Sequence, residues 1–189
     1  MSQVDPSAFR QAAGRLPTGI VVVGTVLDGV SHAMTVSALT SVSLEPLLVL
    51  FCAEKVARFH DAVLAAGFWS VSVLGSDAED VARWLATRGR PLLGQLDAVP
   101  HHAGSATGAP ILDIATAAFE CRTSAVYDGG DHSIVVGEVV AVSEPSGDGT
   151  ALTGNGEPGA LAADRTIAVS PADAGPLIYY RGRYRRLAD

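Results

Sequence analysis

Apolar residues along this 189-residue chain recur mainly in short runs whose alternating or continuous spacing is typical of β-strands. Two of these runs, at 19–27 and 31–39, flank the dipeptide Asp28-Gly29, which is a frequent hairpin turn. Further strands are predicted at 47–53, 68–74, 115–127, 133–143 and 176–180, with a glycine-rich turn at 128–131. The pattern therefore predicts at least six strands, several of them joined by tight hairpins.

Helical spacing covers less of the chain. Asp5, Pro6 and Gly14 bound a predicted short helix as its N-cap, its first residue and the residue past its end. Two more helices are predicted at Arg58–Ala66 and 78–87. Because strands outnumber helices and hairpins join several strands, we predict a mainly β fold, an antiparallel barrel with appended helices, in preference to a doubly wound parallel sheet.

Composition indicates one folded domain over residues 1–189, since 48% of the residues are apolar and 17% are charged. The stretch 144–175, rich in glycine and proline, is expected to be a long excursion or loop. The formal net charge of −7 excludes a broad basic surface, so we expect no nucleic-acid partner and no membrane binding. Cys52 and Cys121 stand apart, as is typical of thiols in a reducing compartment, and we therefore predict a cytoplasmic protein.

A strip of hydroxyl side chains runs through residues 35–43. Thr35 and Ser37 share one face of an extended chain, and so do Ser41 and Ser43. These hydroxyls and the nearby backbone N–H groups suit a ligand with many acceptors, such as a phosphate or the pyrimidine edge of a flavin. A polar strand that faces solvent explains the same residues, because threonine is favoured in strands. The strip alone leaves both interpretations open.

Cationic side chains that could hold a phosphate follow the next predicted strand. Lys55, the only lysine, and Arg58 come directly after the apolar run 47–53, and Arg88 and Arg90 form a second pair. On a protein with a negative net charge, such residues would have to supply the local positive field that a phosphorylated ligand needs. An ordinary strand-to-helix connection with exposed charges explains Lys55 and Arg58 equally well.

Two further segments could contact a flat heterocycle or its phosphates. His132 follows the Gly129-Gly130 turn, where it is either a hydrogen-bonded loop residue or a catalytic group. Residues 179–184 are rich in tyrosine and arginine. The rings could stack on a ligand and the guanidinium groups could bind phosphate, or the segment could form a plain edge strand. His101-His102 have no third ligand at zinc-like spacing, so no metal site is expected.

Seven pieces of the chain occur in a characteristic order: Phe9-Arg10 with 17–19, 34–38, 41–46, 52–55, 68–74, 130–132 with Gly137, and 180–184. In this order they resemble the flavin reductase-like family, the FMN-binding split barrels that act as NAD(P)H:flavin oxidoreductases of two-component monooxygenases. The resemblance implies an antiparallel Greek-key split β-barrel and a homodimer with the flavin site near the subunit interface. It also implies FMN or FAD as the flavin, NADH or NADPH as the electron donor, and a flavin-dependent monooxygenase that receives the reduced flavin.

The resemblance implies roles for individual residues as well. The flavin ring and ribityl chain would be lined by Thr35, Val36, Ser37, Ala38, Ser41, Val42, Ser43, Cys52, Ala53, Glu54 and Lys55. Arg58 and Phe59 would lie near the flavin phosphate. The nicotinamide cofactor would be faced by His132, Tyr180, Arg181, Gly182, Arg183 and Tyr184. His132 is the candidate catalytic residue, which we expect to orient the nicotinamide carboxamide or to limit the access of water.

The chain departs from the family pattern in places. Leu47 follows Pro46 where a second proline is usual, and Ala33 stands where glycine is frequent. A basic-aromatic pair commonly precedes the glycine aligned with Gly94, whereas this chain has Pro-Leu-Leu there. Arg88 or Arg90 would have to substitute for that pair as a phosphate contact, so the sequence leaves the choice between FMN and FAD open.

Two other functions fit parts of the pattern. One is a flavin-binding split barrel without reductase activity, which would serve in sensing or storage. The other is an acidic interaction barrel whose aromatic and basic C-terminal segment docks a partner protein. Oxidation of NADH in the presence of added flavin distinguishes the reductase from both, and a flavin-dependent thermal shift separates the two alternatives from each other.

Overall fold

The computed structural model describes residues 4–143 and 175–187, which form three helices and twelve strands. The helices are α1 (Pro6–Ala13), α2 (Arg58–Ala66) and α3 (Glu79–Ala86). The strands are β1 (Thr18–Gly19), β2 (Val21–Leu27), β3 (Val30–Val36), β4 (Leu39–Leu44), β5 (Leu47–Glu54), β6 (Phe68–Leu74), β7 (His101–Ala103), β8 (Pro110–Leu112), β9 (Ala115–Gly129), β10 (His132–Ser143), β11 (Leu177–Tyr180) and β12 (Arg183–Arg186). Within these ranges, no helix combines the length and apolar character that crossing a membrane requires.

The central sheet has seven strands in the order β3-β2-β6-β9-β10-β5-β4, and every pair of neighbours is antiparallel. Val36 of β3 and Phe51 of β5 are distant in that order, yet both belong to one buried cluster with Trp69. This shared cluster shows that the sheet curls on itself. Phe59 and Val63 of α2 pack against the same cluster. The predicted mainly β, antiparallel fold with appended helices is confirmed.

A second buried cluster lies on the opposite face of β2 and β6. Val22 points into it, whereas Val21 and Val23 point into the first cluster, as the alternation of side chains along a strand requires. Helix α3 packs against this second cluster through Val81, Ala82 and Leu85. Leu177 of β11 is fully buried there, and its carbonyl accepts a hydrogen bond from the N–H of Ile20 at 3.1 Å. The cluster therefore fixes α3 and the hairpin β11–β12 on one face of the sheet.

Local sequence signals predict several elements correctly. Helix α2 and strand β6 have the predicted bounds, and Asp5 caps α1 by accepting hydrogen bonds from Ser7 N and Ala8 N at 3.3 and 3.2 Å. Asp28 and Gly29 both have positive φ, as a tight hairpin between twisted strands requires. The expected strand 31–39 is wrong in extent, because the chain leaves β3 after Val36 and starts β4 at Leu39. Most of the predicted excursion at 144–175 lies outside the described residues.

A buried carboxylate anchors the loop that follows β7. Glu120 on β9 is 3% exposed, and its carboxylate accepts hydrogen bonds from Ala106 N, Thr107 N and the Thr107 hydroxyl at 2.7 to 3.1 Å. Burial alone would raise the pKa of Glu120, but these hydrogen bonds outweigh it and hold the pKa below its ordinary value. A methyl group at Gly104 would overlap the carboxylate, so the close approach of this loop depends on a glycine.

We expect Glu120→Gln to lower the free energy of unfolding at neutral pH by ~1–3 kcal/mol, because an amide nitrogen would then face buried donors. The folded-state pKa of Glu120 lies below the unfolded value, so the carboxylate stabilises the fold above the unfolded pKa. That contribution is lost as the pH falls through the folded pKa. The difference in unfolding free energy between wild type and Glu120→Gln, measured by urea unfolding, should therefore become smaller as the pH falls from neutral to about pH 3.

The exposed Glu45→Gln, between β4 and β5, serves as the control for this experiment and should leave the unfolding free energy nearly unchanged at both pH values. A difference in unfolding free energy between wild type and Glu120→Gln that stays constant over the same pH range would contradict the stabilising role of the Glu120 charge.

Candidate functional site

A cleft of about 490 Å³ opens on the face of the sheet that carries α3 and the β11–β12 hairpin. Its walls are the end of β3, the last turns of α3 and the hairpin. The lining residues are Ile20, Thr35, Ser37, Arg83, Ala86, Thr87, Tyr179, Gly182 and Tyr184. Hydroxyl groups and two aromatic rings predominate among them, so the cleft offers a ligand both hydrogen-bonding groups and flat surfaces.

Two hydroxyls of the predicted strip reach this cleft. Thr35 and Ser37 both line it, in agreement with the shared face that alternation predicts. The Thr35 hydroxyl donates to the Ala82 carbonyl of α3 at 2.7 Å and so ties β3 to the helix. Ser37 lies just past the end of β3 and is exposed. Thr35 therefore shapes the wall of the cleft, and the Ser37 hydroxyl is accessible to a ligand.

The C-terminal hairpin supplies the aromatic wall. Tyr179 and Tyr184 are cross-strand partners whose ring centroids are 5.4 Å apart in an edge-to-face arrangement. The guanidinium group of Arg83 lies over the Tyr184 ring, 4.8 Å from its centroid. Burial raises the pKa of the Tyr184 hydroxyl above its ordinary value, so this group is neutral at physiological pH.

A second group of predicted residues meets where β5 ends beside the β9–β10 turn. We call Glu54, Lys55, Arg88, Asp128 and His132 the β5-end cluster. His132 lies opposite Glu54 in the β5–β10 register, and Arg88 donates to both carboxylate oxygens of Glu54 at 2.8 and 2.7 Å. The Lys55 ammonium pairs with Asp128, and this hydrogen bond lowers the pKa of Asp128. The charges of the cluster are thus largely paired with one another.

His132 belongs to this cluster and does not line the cleft. Its Nδ1 lies 2.7 Å from the Asp131 carboxylate, and that hydrogen bond lowers the pKa of Asp131. The side chain of His132 is 39% exposed. Its Nε2 forms no hydrogen bond with any residue in 4–143 or 175–187 and is not buried, so this nitrogen is open to a ligand. The predicted role of His132 toward the nicotinamide stays a prediction.

Arg90 is a structural link between β3 and the segment after α3. Its guanidinium donates to the carbonyl of Ala33, to the carbonyl of Thr87 at 2.9 Å and to the side chain of Gln95 at 3.3 Å. Burial lowers the pKa of Arg90 below its ordinary value. Arg58 in turn donates to the Arg90 carbonyl at 2.6 Å. These contacts favour a structural role for Arg90 over the phosphate contact expected from the sequence.

Three of the residues expected to bind flavin have side chains in the core. Val36, Ala53 and Phe59 are 5%, 0% and 4% exposed and pack in the cluster around Trp69. A cofactor could therefore meet these residues only through backbone atoms.

The expected shared face of Ser41 and Ser43 is wrong. Ser41 pairs with Val49, which points into the core, whereas Ser43 pairs with Leu48, which points outward. The register shift between the two serines is a β-bulge, which places one extra residue, Val42, in the strand. The bulge interrupts the alternation of side chains, so the two hydroxyls lie on different faces.

The remaining predicted residues are divided between the surface of the sheet and the hairpin. Ala38 is exposed between β3 and β4, and Cys52 lies half-buried on β5. Tyr180 and Arg183 are cross-strand partners on the hairpin face opposite Tyr179 and Tyr184. The Arg181 guanidinium lies 5.6 Å from the centroid of the Tyr180 ring. The hairpin thus presents only part of its predicted motif to the cleft.

Sequence reasoning did not single out the α3 side of the cleft. Arg83, Ala86 and Thr87 come from the last turns of a helix whose opposite face is core. One signal was available, since Glu79 and Arg83 stand four residues apart on the polar face of α3. Such pairs are common on solvated helices, so spacing alone does not distinguish a cleft wall from open surface.

An antiparallel sheet that curls around one core and carries an aromatic, hydroxyl-rich cleft defines a split-barrel protein suited to nucleotide cofactors. The chain matches the flavin reductase like domain over residues 13–188. The reductase subunit HsaB of a flavin-dependent monooxygenase from Mycobacterium tuberculosis is 34% identical over 183 residues, which are 97% of this chain and 83% of HsaB. An NADH-dependent FAD reductase from Streptomyces globisporus is 39% identical over 156 residues, 80% of this chain and 85% of that protein.

Solved structures give the same result. BorF, the flavin reductase component of a bacterial two-component tryptophan halogenase, superposes with a TM-score of 0.78 at 35% identity, covering 98% of this chain and 99% of BorF. The NADH:FAD oxidoreductase SgcE6 of Streptomyces globisporus, in complex with NAD and FAD fragments, has a TM-score of 0.78 at 31% identity, covering 100% of this chain and 98% of SgcE6. The chain belongs to the flavin reductase-like family, as its sequence motifs predict.

Proposed function

We propose that this protein is a single-domain NAD(P)H-dependent flavin reductase that reduces FMN or FAD and supplies the reduced flavin to a flavin-dependent monooxygenase. The observation that carries the proposal is the cleft between β3, α3 and the C-terminal hairpin, in a chain of the flavin reductase-like family. The names of HsaB and of the Streptomyces globisporus enzyme support both parts, the NADH-dependent reduction and the monooxygenase partner.

The residues of the cleft fit a planar heterocycle that carries a phosphate. Tyr179 and Tyr184 offer aromatic surface, Ser37 offers an exposed hydroxyl, and Arg83 offers a positive charge. The Thr87 hydroxyl donates to the Arg83 carbonyl at 2.9 Å and therefore shapes the wall. The volume of about 490 Å³ falls within the ~300–1,000 Å³ usual for small-molecule sites. The donor set therefore suits a flavin or a nicotinamide nucleotide.

Positioning is the main task that the protein has in this reaction. The flavin and the nicotinamide, when bound, would supply the redox chemistry, which is a hydride transfer between them. The contribution of the protein would be to hold both of them in position in the cleft, because a small misplacement of reacting groups slows such a reaction strongly. Ser37 and backbone N–H groups near the end of β3 would orient a polar ring edge, while the tyrosines limit the access of water. No acidic or basic side chain is needed for the transfer itself.

We expect His132→Ala to raise the KM for NADH about 3- to 10-fold with a smaller change in kcat, which corresponds to the loss of one hydrogen bond. The reason is that its Nε2 has no hydrogen-bond partner in the described residues, so it can bind the carboxamide of a nicotinamide that reaches from the cleft to the β5-end cluster. Steady-state kinetics with NADH as the varied substrate measures the effect. His102→Ala is the matched control, since His102 is also exposed and also pairs with an aspartate. An unchanged KM in His132→Ala would count against this role.

Steady-state oxidation of NADH and of NADPH, each with FMN, FAD and riboflavin, tests the proposed function. We expect oxidation of the reduced nicotinamide that depends on added flavin, and the six combinations also give both cofactor preferences. Flavin binding without such oxidation would leave a binding protein and reject the reductase. A purified protein that neither binds flavin nor oxidises either nucleotide would reject the flavin function altogether.

We further propose that the protein is a homodimer through the outer face of β5 and β10. Outward-pointing Leu48, Leu50 and Cys52 on β5 lie beside Ile134 and Val136 on β10, and none of the five is fully buried in the single chain. A partly exposed apolar surface of this kind suits a protein interface. Glu54 and His132 lie at the end of the same face, so a second copy seated there would approach the β5-end cluster.

Sedimentation of the wild type and of Val136→Arg tests the dimer. We expect the wild type to sediment as a dimer and Val136→Arg to shift toward the monomer, because a guanidinium group cannot be buried in an apolar interface without a partner. Ala65→Arg, at an exposed position of α2, is the control. A wild type that stays monomeric would reject the interface.

A cytoplasmic location is proposed on the chemistry of the two cysteines. Both are free thiols, and Cys121 is fully buried, which raises its pKa to about 12 and keeps it unreactive. Free thiols are typical of reducing compartments, where NAD(P)H is also available.

A further inference from the structure

Among the described residues that line the cleft, Arg83 alone carries a charge. Its Nε and Nη2 both donate to the same oxygen of Glu79, at 2.9 and 2.5 Å. Its planar group also lies over the Tyr184 ring, 4.8 Å from the centroid. These contacts place the guanidinium in the wall of the cleft, while 58% of the side chain remains exposed.

The contacts of Arg83 leave it able to bind an anion. Within the described ranges, Nη1 forms no hydrogen bond, so one edge of the guanidinium is free to donate. The partner Glu79 is four residues away on the same helix, and such exposed pairs are weak. A phosphate could add to Nη1 or displace Glu79, and a guanidinium group can donate two parallel hydrogen bonds to phosphate oxygens.

The cations that follow β5 and α3 are committed to protein groups outside the cleft. Arg88 is paired with Glu54, and Lys55 with Asp128. Arg90 is half-buried and donates to backbone carbonyls, and Arg58 donates to the Arg90 carbonyl. Arg181 and Arg183 flank Gly182 but do not line the cleft themselves. On a chain with a net charge of −7, Arg83 is therefore the cation that a dianionic nucleotide meets in the described wall of the cleft.

We infer that Arg83, held by Glu79 and stacked on Tyr184, binds a phosphate group of the nucleotide that occupies the cleft. The inference rests on the proposed function, because it takes the ligand of the cleft to be the flavin or the nicotinamide nucleotide. It identifies a phosphate-recognition residue on α3, a helix to which the sequence motifs assign no site residue.

Equilibrium binding of FMN and of riboflavin to wild type and Arg83→Ala tests the inference, with quenching of flavin fluorescence as the readout. FMN and riboflavin differ only in the phosphate. Calorimetric titration with ADP tests the adenosine diphosphate part that NAD(P)H and FAD share. We expect Arg83→Ala to weaken binding of FMN or of ADP about tenfold or more and to change binding of riboflavin less than about twofold. Weakened binding of FMN assigns Arg83 to the flavin phosphate, and weakened binding of ADP alone assigns it to the adenosine diphosphate part that NAD(P)H and FAD share.

Arg83→Lys provides a graded variant, because lysine keeps the charge and loses the planar fork. It should bind the affected probe with an affinity between those of wild type and Arg83→Ala. Arg122→Ala, which removes an exposed arginine on β9 that does not line the cleft, should bind all probes like the wild type. Equal weakening of FMN and riboflavin, or no weakening of FMN and ADP, would overturn the inference while leaving the reductase function intact. A wild type that binds none of the probes would instead reject the proposed function.

Discussion

Ala86→Trp is expected to reduce kcat/KM for flavin reduction by about 100-fold or more, because a misplacement of bound rings by ~1 Å already has an effect of that size. Ala86 is the last residue of α3 and lines the cleft opposite the hairpin. An indole at this position would occupy part of the cleft that Ala86 lines. Since Ala86 is exposed, the substitution should leave the midpoint of thermal unfolding nearly unchanged.

Ala65→Trp is the matched control for this prediction. Ala65 is likewise an exposed alanine near the end of a helix, α2, and it does not line the cleft. Steady-state oxidation of NADH with added FMN compares the two variants, and differential scanning calorimetry checks their stability. An Ala86→Trp variant with wild-type kcat/KM would place the reaction elsewhere on the protein.

Gly137→Ala is expected to lower the free energy of unfolding by about 2–3 kcal/mol, the cost typical of overpacking a tight core. A methyl group on Gly137 of β10 would overlap the Trp69 ring, and it would lie 2.9 Å from its Cε2 and 3.0 Å from Cβ of Cys121. Trp69 is fully buried and cannot move aside, because Phe51 packs edge to face against it at 4.8 Å. Chemical denaturation measures the loss.

Gly19→Ala is the control for this substitution. Gly19 also lies in a strand, β1, but a methyl group there would meet no atom within 4 Å. Its unfolding free energy should stay close to that of the wild type. Equal effects of the two substitutions would indicate that a general loss of chain entropy, and not the contact with Trp69, determines the cost at Gly137.

Elements with strong local signals are predictable from this sequence. Asp5 caps α1 through its own carboxylate, and the turn at Asp28-Gly29 needs backbone angles that these two residues adopt readily. The shared face of Thr35 and Ser37 follows from the geometry of a strand, and both residues line the cleft. In each case the physical cause lies within a few residues of the feature it explains.

Features that depend on distant segments are not predictable in this way. The bulge at Val42 is visible only in the pairing of β4 with β5, and it separates the faces of Ser41 and Ser43. Arg90 has a spacing that suits phosphate binding, yet the approach of β3 engages its guanidinium with the Ala33 carbonyl. Arg83 stands on an ordinary polar helix face until the C-terminal hairpin brings Tyr184 over it.

The sequence by itself determined the strand-rich character of the chain, most turns and helix ends, and the family, because short-range patterns of apolar residues and short motifs encode these. The tertiary structure decided which of the candidate side chains meet. Burial of Leu177 and of the inner face of α3 in one cluster brings two segments about a hundred residues apart together around the end of β3. Hydrophobic burial is not directional and acts between distant segments, so the partners that form the cleft appear only once the chain has folded.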